Sequence, residues 1–418
     1  MTTPRTDRPY GTPGIGSAVP ERGTVRTEGM ALDAGQRRRL QLAQGLLWLR
    51  AASGDPFAAL LRDHDEDEAA LYARLGGGAP IWRSSTGTWV VTRHRTATAL
   101  TADPAVEDRI VGWRPLGIPV MPLGEQDLGL HPENREALLS LARAEVAEDA
   151  LVERRPRWAV AVRRRLDRAG DGRIDLAELA AGISVDMLAE QLDLPGTEMG
   201  WFSDLASHAG LAADGLLCPQ DMRRTHDMLA GIAELRERFA GRPFAMILAV
   251  FGVRVCADLL RNALAALLAE PAGWAGLRAE PASAAAVVDE ILRHDPPVRV
   301  QLLEAVADTT AHGVPITAGD QISVLLAVAN RDAEVFPEPD VYRPGRPVSP
   351  DRPVLLPGWP AGPVLPLARA QTVTALTELA GRFPVLEAAG PVIREVRAPV
   401  TRAIRELPAR ADRRVRRP

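Results

Sequence analysis

The residues able to do chemistry fall into a few groups. Glu290-Ile291-Leu292-Arg293 sets a carboxylate and a guanidinium at i and i+3, on one helix face. Such a pair alone is most often surface decoration. Further on, Ala329-Asn330-Arg331-Asp332, Phe336, Pro339-Asp340 and Arg346 follow in order. Asp167 to Glu178 mimics a calcium loop, with Asp at the first and fifth positions, Gly at the sixth, Ile at the eighth and Glu at the twelfth. Its third position is Ala169, which removes a ligand, so calcium is not expected. Seven histidines are present, none in His-x-x-x-His or His-Glu-x-x-His spacing, so no metal site is expected. Neither a glycine-rich phosphate loop nor a nucleophile elbow occurs. The two cysteines, Cys218 and Cys256, fit neither a zinc motif nor a disulfide framework, and a reducing cytoplasm is the natural compartment. Cys256 reads as a small core residue rather than a nucleophile.

The elements that position these groups are mostly helical. Leu40, Ala43, Leu46 and Leu47 recur on one face of an early helix with Trp48 beside them, and Gly54-Asp55-Pro56 stops it. The acidic run from Asp63 to Glu68 reads as a solvated helix start, where carboxylates suit the helix dipole. Trp89 to Thr92 reads as a strand. Helices are predicted over 133–166, 176–192, 220–239, 244–270, 282–294 and 367–383, with a short β-rich part after His294 and paired strands over 392–407. Proline and glycine crowd 337–366, which reads as a long structured loop. The expected organisation is a disordered tail over 1–30, one domain over 31–410 and a basic tail over 411–418. The fold class is mainly α with a minor β part.

Composition excludes several classes. Apolar residues make up 46% and charged residues 25% of 418, an ordinary globular mixture. The net charge of −4 argues against a nucleic-acid partner, and aromatics at 4% leave little for base stacking. The N-terminus lacks the apolar run of a signal peptide. The longest apolar stretch, Phe244 to Val253, is too short for a bilayer, so no membrane role is expected.

The order E-x-x-R, P-P-V, A-N-R-D, F-x-x-P-D and R resembles the C-terminal half of a bacterial cytochrome P450. Most of the chain follows: Gly54-Asp55-Pro56-Phe57, Thr88-Trp89-Val90-Val91, Gly172 to Leu176 and Arg402 to Pro408 match other parts of that family. The resemblance implies a buried triad of Glu290, Arg293 and Arg346 with a structural role.

The family's chemistry is missing at matching positions. The haem thiolate loop keeps Leu367-Ala368-Arg369 and Gly358, but Gly362 stands at the cysteine, Pro360 at the propionate-binding histidine and Val364 at a glycine. A haem iron needs an axial ligand, and Gly362 offers none. On the oxygen-activating helix, Arg254 replaces the acid, Val255 the proton-relaying threonine and Phe251 the alanine that leaves room for oxygen. A relay needs hydroxyl or carboxyl groups, and valine has neither. Asn134, Leu138 and Leu303 stand where the family holds haem propionates. These losses together imply that no haem is bound and no cofactor is used.

Haem-less relatives of this fold accompany the glycosyltransferases of macrolide and anthracycline pathways, which attach TDP-deoxyamino sugars. The chain resembles them in Arg38-Arg39-Leu40-Gln41, Gly45-Leu46-Leu47-Trp48 ahead of Gly54-Asp55-Pro56, in Thr86 to Val91, and in the missing cysteine. The resemblance implies a non-catalytic partner of a cognate glycosyltransferase, with a heterotetramer as one assembly it allows. The early helix bearing Leu40, Leu46, Leu47 and Trp48 is the candidate contact, against the alternative that it simply packs on the core. Two other classes stay open: a degenerate monooxygenase that still binds haem or a small ligand, and a haem-less recruiting domain of the peptide-synthetase type.

Overall fold

The computed structural model describes residues 32–62, 67–108, 114, 117, 128, 134–270 and 272–412. The tail over 1–30, the first part of the acidic run over 63–66 and the arginines beyond Asp412 lie outside them.

Leu176–Gln191 is buried on nearly every side, the mark of a central helix. It packs against Glu148–Ala169 and Val253–Ala269, and Leu365–Arg382 closes the group. Inside, Arg165 grips Asp186 through two hydrogen bonds of 2.7 and 2.8 Å. Ala284–His294 packs on Leu365–Arg382 and carries the Glu-x-x-Arg pair.

The main sheet has five short strands, in the order Ile81–Arg83, Trp89–Val91, Gln321–Leu325, Val300–Ala305 and Val106–Asp108. Only the pairing of Trp89–Val91 with Gln321–Leu325 is parallel. It holds its own small core around Val91, Ile322 and Val324.

Several expectations need correcting. The helix expected over 133–166 is two, Arg135–Glu145 and Glu148–Ala169. Ala147 is extended between them, and Glu148 and Asp149 restart the second with carboxylates at its positive end. The last strand, Pro408–Asp412, pairs on both sides, with Gly172–Asp175 and Val385–Ala388, so the domain runs past 410. Asp67 caps Glu68–Gly76 through the Ala69 N–H, but Glu68 is not solvated. It pairs with the buried Arg299, which also donates to Tyr72 at 2.6 Å and pairs with Asp295. The apolar run at Phe244 continues as helical backbone from Pro243 to Ala269, long and apolar enough to cross a membrane by composition, yet mostly buried as a core helix.

Candidate functional site

Glu290 and Arg293 form a two-pronged pair at 2.7 and 3.0 Å, both buried. Arg346 reaches the same carboxylate at 3.3 Å, and the Arg343 N–H donates to it at 2.9 Å. Burial works to raise the Glu290 pKa, but the Arg293 hydrogen bonds, the Arg343 N–H and the two arginine charges hold it below the ordinary value. The spare guanidinium donors satisfy backbone carbonyls of Asn330, Pro339 and Val341. Asn330 then clasps Leu355 through two 2.8 Å bonds. The cluster thus fastens the long loop to the helix bundle, and every partner named here is a structural one.

That loop leads to Gly362. Its N–H donates to the Gly358 carbonyl at 2.6 Å. A Cβ added at Gly362 would stand 2.5 Å from the Pro357 carbonyl oxygen, and one at Gly358 would stand 2.5 Å from both carboxylate oxygens of Asp108. Asp108 accepts from the Trp359 N–H at 3.0 Å, Gln301 Nε2 at 2.6 Å and Arg135 Nη2 at 2.9 Å. Gln301 in turn accepts from the Gly358 N–H at 2.7 Å. Burial raises the Asp108 pKa despite these donors and Arg135. These bonds fasten the loop to the sheet. Asp108, Gln301 and Arg135 escaped the sequence reading because nothing local marks them as partners.

Behind the loop lies a cavity of about 50 Å³, lined by Phe251, Val255, Val300, Leu302, Trp359 and Pro360 among others. It holds water-sized molecules, not a macrocycle. Phe251 sits in a π-helical turn, Leu248–Gly252, within the core helix. Leu138 and Leu303, at positions that the resemblance gives to propionate contacts, are buried apolar residues, and Asn134, at a third, is exposed. A haem does not fit these residues: at the position that the resemblance gives to the iron ligand a Cβ would meet the Pro357 carbonyl, the cavity beside Phe251 is about 50 Å³, and the open cleft of about 570 Å³ lined by Gly362, Asp108 and Arg135 offers no cysteine, histidine or methionine.

Arg254 points elsewhere. It pairs with Asp258 at 2.8 Å, with Glu395 at 2.7 Å and with Asp214 at 3.7 Å, and donates to Thr401 Oγ1 at 3.2 Å. Asp214 also accepts from the Val400 and Thr401 N–H groups at 2.9 Å and from the Thr401 hydroxyl at 2.6 Å. Burial pushes the Asp214 pKa up to about 7 against the pull of Arg254 and Thr401. So Arg254 ties the core helix to Asp214 and to the C-terminal hairpin. Val255 offers the cavity a hydrocarbon face. Cys256 is buried and free, and burial raises its thiol pKa, which suppresses the thiolate.

On the N-terminal helix Ala34–Ala52 the candidate contact residues separate. Leu40 and Leu47 are buried in the core, so for these two the contact assignment is corrected to packing. Leu46 is half-buried and Trp48 is exposed, with the Arg62 guanidinium 4.6 Å over its ring. The calcium-like stretch is spent on structure: Gly172–Asp175 is a strand, Asp175 caps the next helix, and Asp167 and Asp171 face Arg382. Among the described residues no group of three or more His, Cys, Asp or Glu is placed to hold a metal.

This geometry has known relatives. A family model described as cytochrome P450 matches residues 284–354. The chain is 31% identical to protein AknT of Streptomyces galilaeus, across 91% of this chain and 97% of AknT. It is 33% identical to protein DesVIII of Streptomyces venezuelae, across 87% of this chain and 91% of DesVIII. The crystal structure of Mycobacterium smegmatis CYP164A2 with econazole bound matches with a TM-score of 0.71 at 23% identity, covering 88% of this chain and 100% of that one. This last likeness concerns the fold alone.

Proposed function

As the chain belongs to the cytochrome P450 family, and within it to the activator proteins that accompany macrolide and anthracycline glycosyltransferases, we propose that it oxidises nothing. It binds, stabilises and activates a glycosyltransferase that attaches a TDP-activated deoxyamino sugar to a polyketide aglycone. The observation that carries the reading is Gly362, a ligand position blocked by the Pro357 carbonyl, beside a relay helix with Arg254 and Val255 in place of acid and threonine. The ion cluster at Glu290 and the bundle are kept, as a protein valued for its surface requires. Two buried cysteines outside any disulfide suit a cytoplasmic setting.

Activation follows from linkage. A partner that binds only the active conformation of the transferase raises its population by mass action. Turning a mostly inactive enzyme into a mostly active one takes differential binding of about 5 kcal/mol. A lasting complex, such as a heterotetramer of two copies each, supplies it.

The test is co-expression with a glycosyltransferase encoded by a neighbouring gene. Sugar transfer should rise well above that of the transferase alone, and the two proteins should co-elute from a sizing column. A transferase fully active and stable alone overturns the reading, as does one haem per chain in a pyridine haemochrome assay.

A further inference from the structure

The N-terminal helix Ala34–Ala52 carries more apolar side chain than the fold consumes. Leu40, Ala43 and Leu47 face the core. Leu42 and Leu49, seven residues apart and so on one face, are 59% and 61% exposed. Half-buried Leu46 lies between them, one turn from Leu42. Trp48 sits to the side of this stripe, against Arg62.

Gly45 lies on the same outer side. A Cβ added there meets nothing within 4 Å, and the residue is exposed within ordinary helix. Neither crowding nor backbone conformation within this chain calls for glycine, and glycine weakens a helix interior. Bare backbone beside a leucine stripe allows a second surface to approach closely.

The helix's own charges have one sign. The helix contains Arg37, Arg38, Arg39 and Arg50 and no carboxylate. Arg38 stands one turn before Leu42, and Arg50 one turn after Leu46. A surface matched to the helix's own side chains is apolar in the middle and acidic toward its arginines. A second copy of this helix would set arginines against arginines. The chain's own first 31 residues have no acidic excess, with Arg5, Arg8, Arg22 and Arg26 against Asp7, Glu21 and Glu28.

We propose that Leu42, Gly45, Leu46 and Leu49 form the surface that docks in an acid-rimmed apolar groove of the glycosyltransferase. The mode is a helix laid in a groove, and the proposal rests on the activator reading above. The leucines supply the buried contact, Gly45 lets the groove wall close on the backbone, and the arginines speed encounter with the acidic rim.

The experiment uses the full chain and the neighbouring-gene transferase, with affinity read by calorimetry and activation by sugar transfer. The pair Leu42→Asp and Leu49→Asp should leave the melting temperature unchanged, because both side chains are exposed, and weaken binding at least tenfold. Gly45→Ala should raise the melting temperature yet weaken binding, a split that a merely structural glycine does not produce. Arg38→Glu with Arg39→Glu should slow association and flatten its salt dependence. If the native chain binds and activates while the leucine pair does so equally well, the surface is wrong and the activator reading stands. If the native chain neither binds nor activates, the activator reading itself falls. A native chain that elutes alone as a dimer, split by Leu42→Asp, assigns the stripe to a second copy and overturns the proposal.

Discussion

The carbonyl oxygen of Pro357 stands 2.5 Å from the point where a Cβ on Gly362 would lie. The Gly362 N–H is also held by Gly358 across the same tight loop. At the position that the family resemblance gives to the iron ligand, the loop backbone therefore leaves no room for a side chain.

The first prediction follows. Gly362→Cys should not give haem binding, because a Cβ there would meet the Pro357 carbonyl and the cavity beside Phe251 is about 50 Å³. It should instead destabilise the fold by about 1–3 kcal/mol, the range for overpacking. Absorbance of the purified variant near the Soret region, together with its melting curve, checks both halves. A coloured variant with one haem per chain would contradict the loop geometry.

Glu290→Ala should lower stability without touching a reaction. It leaves Arg293 and Arg346, both buried, facing one another without their carboxylate. Breaking a buried pair by removing one partner costs about 3–5 kcal/mol. Denaturant titration reads the loss, and an unchanged midpoint would show that the cluster does not hold the loop.

Stability should respond to pH through two opposed groups. Asp214 has its folded pKa pushed up to about 7, above the unfolded value of 3.8. The folded state then binds more protons between those values, so this residue's contribution falls as pH rises from 4 to 7, by at most about 1.4 kcal/mol per unit. Asp295 is the reverse. Burial works to raise its pKa, but Arg299, Arg394 and Arg331 hold it down to about 2. Its contribution is complete above the unfolded value and is lost as pH falls through about 2. Asp214→Asn should flatten the profile between pH 4 and 7 and leave the acid limb in place. Chemical denaturation at a series of pH values measures both.

What could be read of the site from the sequence rested on the resemblance to a known family. Glu290, Arg293 and Arg346 stand out through the motifs around them, and Gly362, Arg254 and Val255 through residue types that cannot ligate iron or relay a proton. The crowding by Pro357 was invisible, since it depends on a tight loop conformation. Asp108, Gln301 and Arg135 lie far apart in the chain and meet only because Val106–Asp108 pairs with Val300–Ala305. The N-terminal helix misled for another reason. Periodicity grouped Leu40, Ala43, Leu46 and Leu47 on one face, and Leu40, Ala43 and Leu47 are indeed buried, but a helical period does not tell whether an apolar face meets the core or a partner. The break at Ala147 carries neither glycine nor proline, and the proline that follows, Pro156, sits inside a continuous helix.

Arg254→Ala is the last prediction, and it separates a lost function from a gained one. If Arg254 were only the vacancy of a proton-relay acid, its removal would cost little. In the structure it is largely enclosed by Asp214, Asp258 and Glu395, with Arg261 as the other cation on Asp258. Burial opposes its charge, but these carboxylates more than compensate and raise its pKa. Without it, Glu395 and Asp214 lose the guanidinium they share, and removing one member of such a cluster costs about 3–5 kcal/mol. The damage should be local first. Amide hydrogen exchange should quicken in Ile393–Arg394 and Ile404–Glu406, the hairpin strands that Arg254 ties to the core helix, before it quickens in Leu176–Gln191. Arg254→Lys should recover only part of the loss, because an ammonium cannot span Asp258 and Glu395 with a planar fork. Equal exchange across hairpin and bundle, with unchanged stability, would show that Arg254 holds nothing.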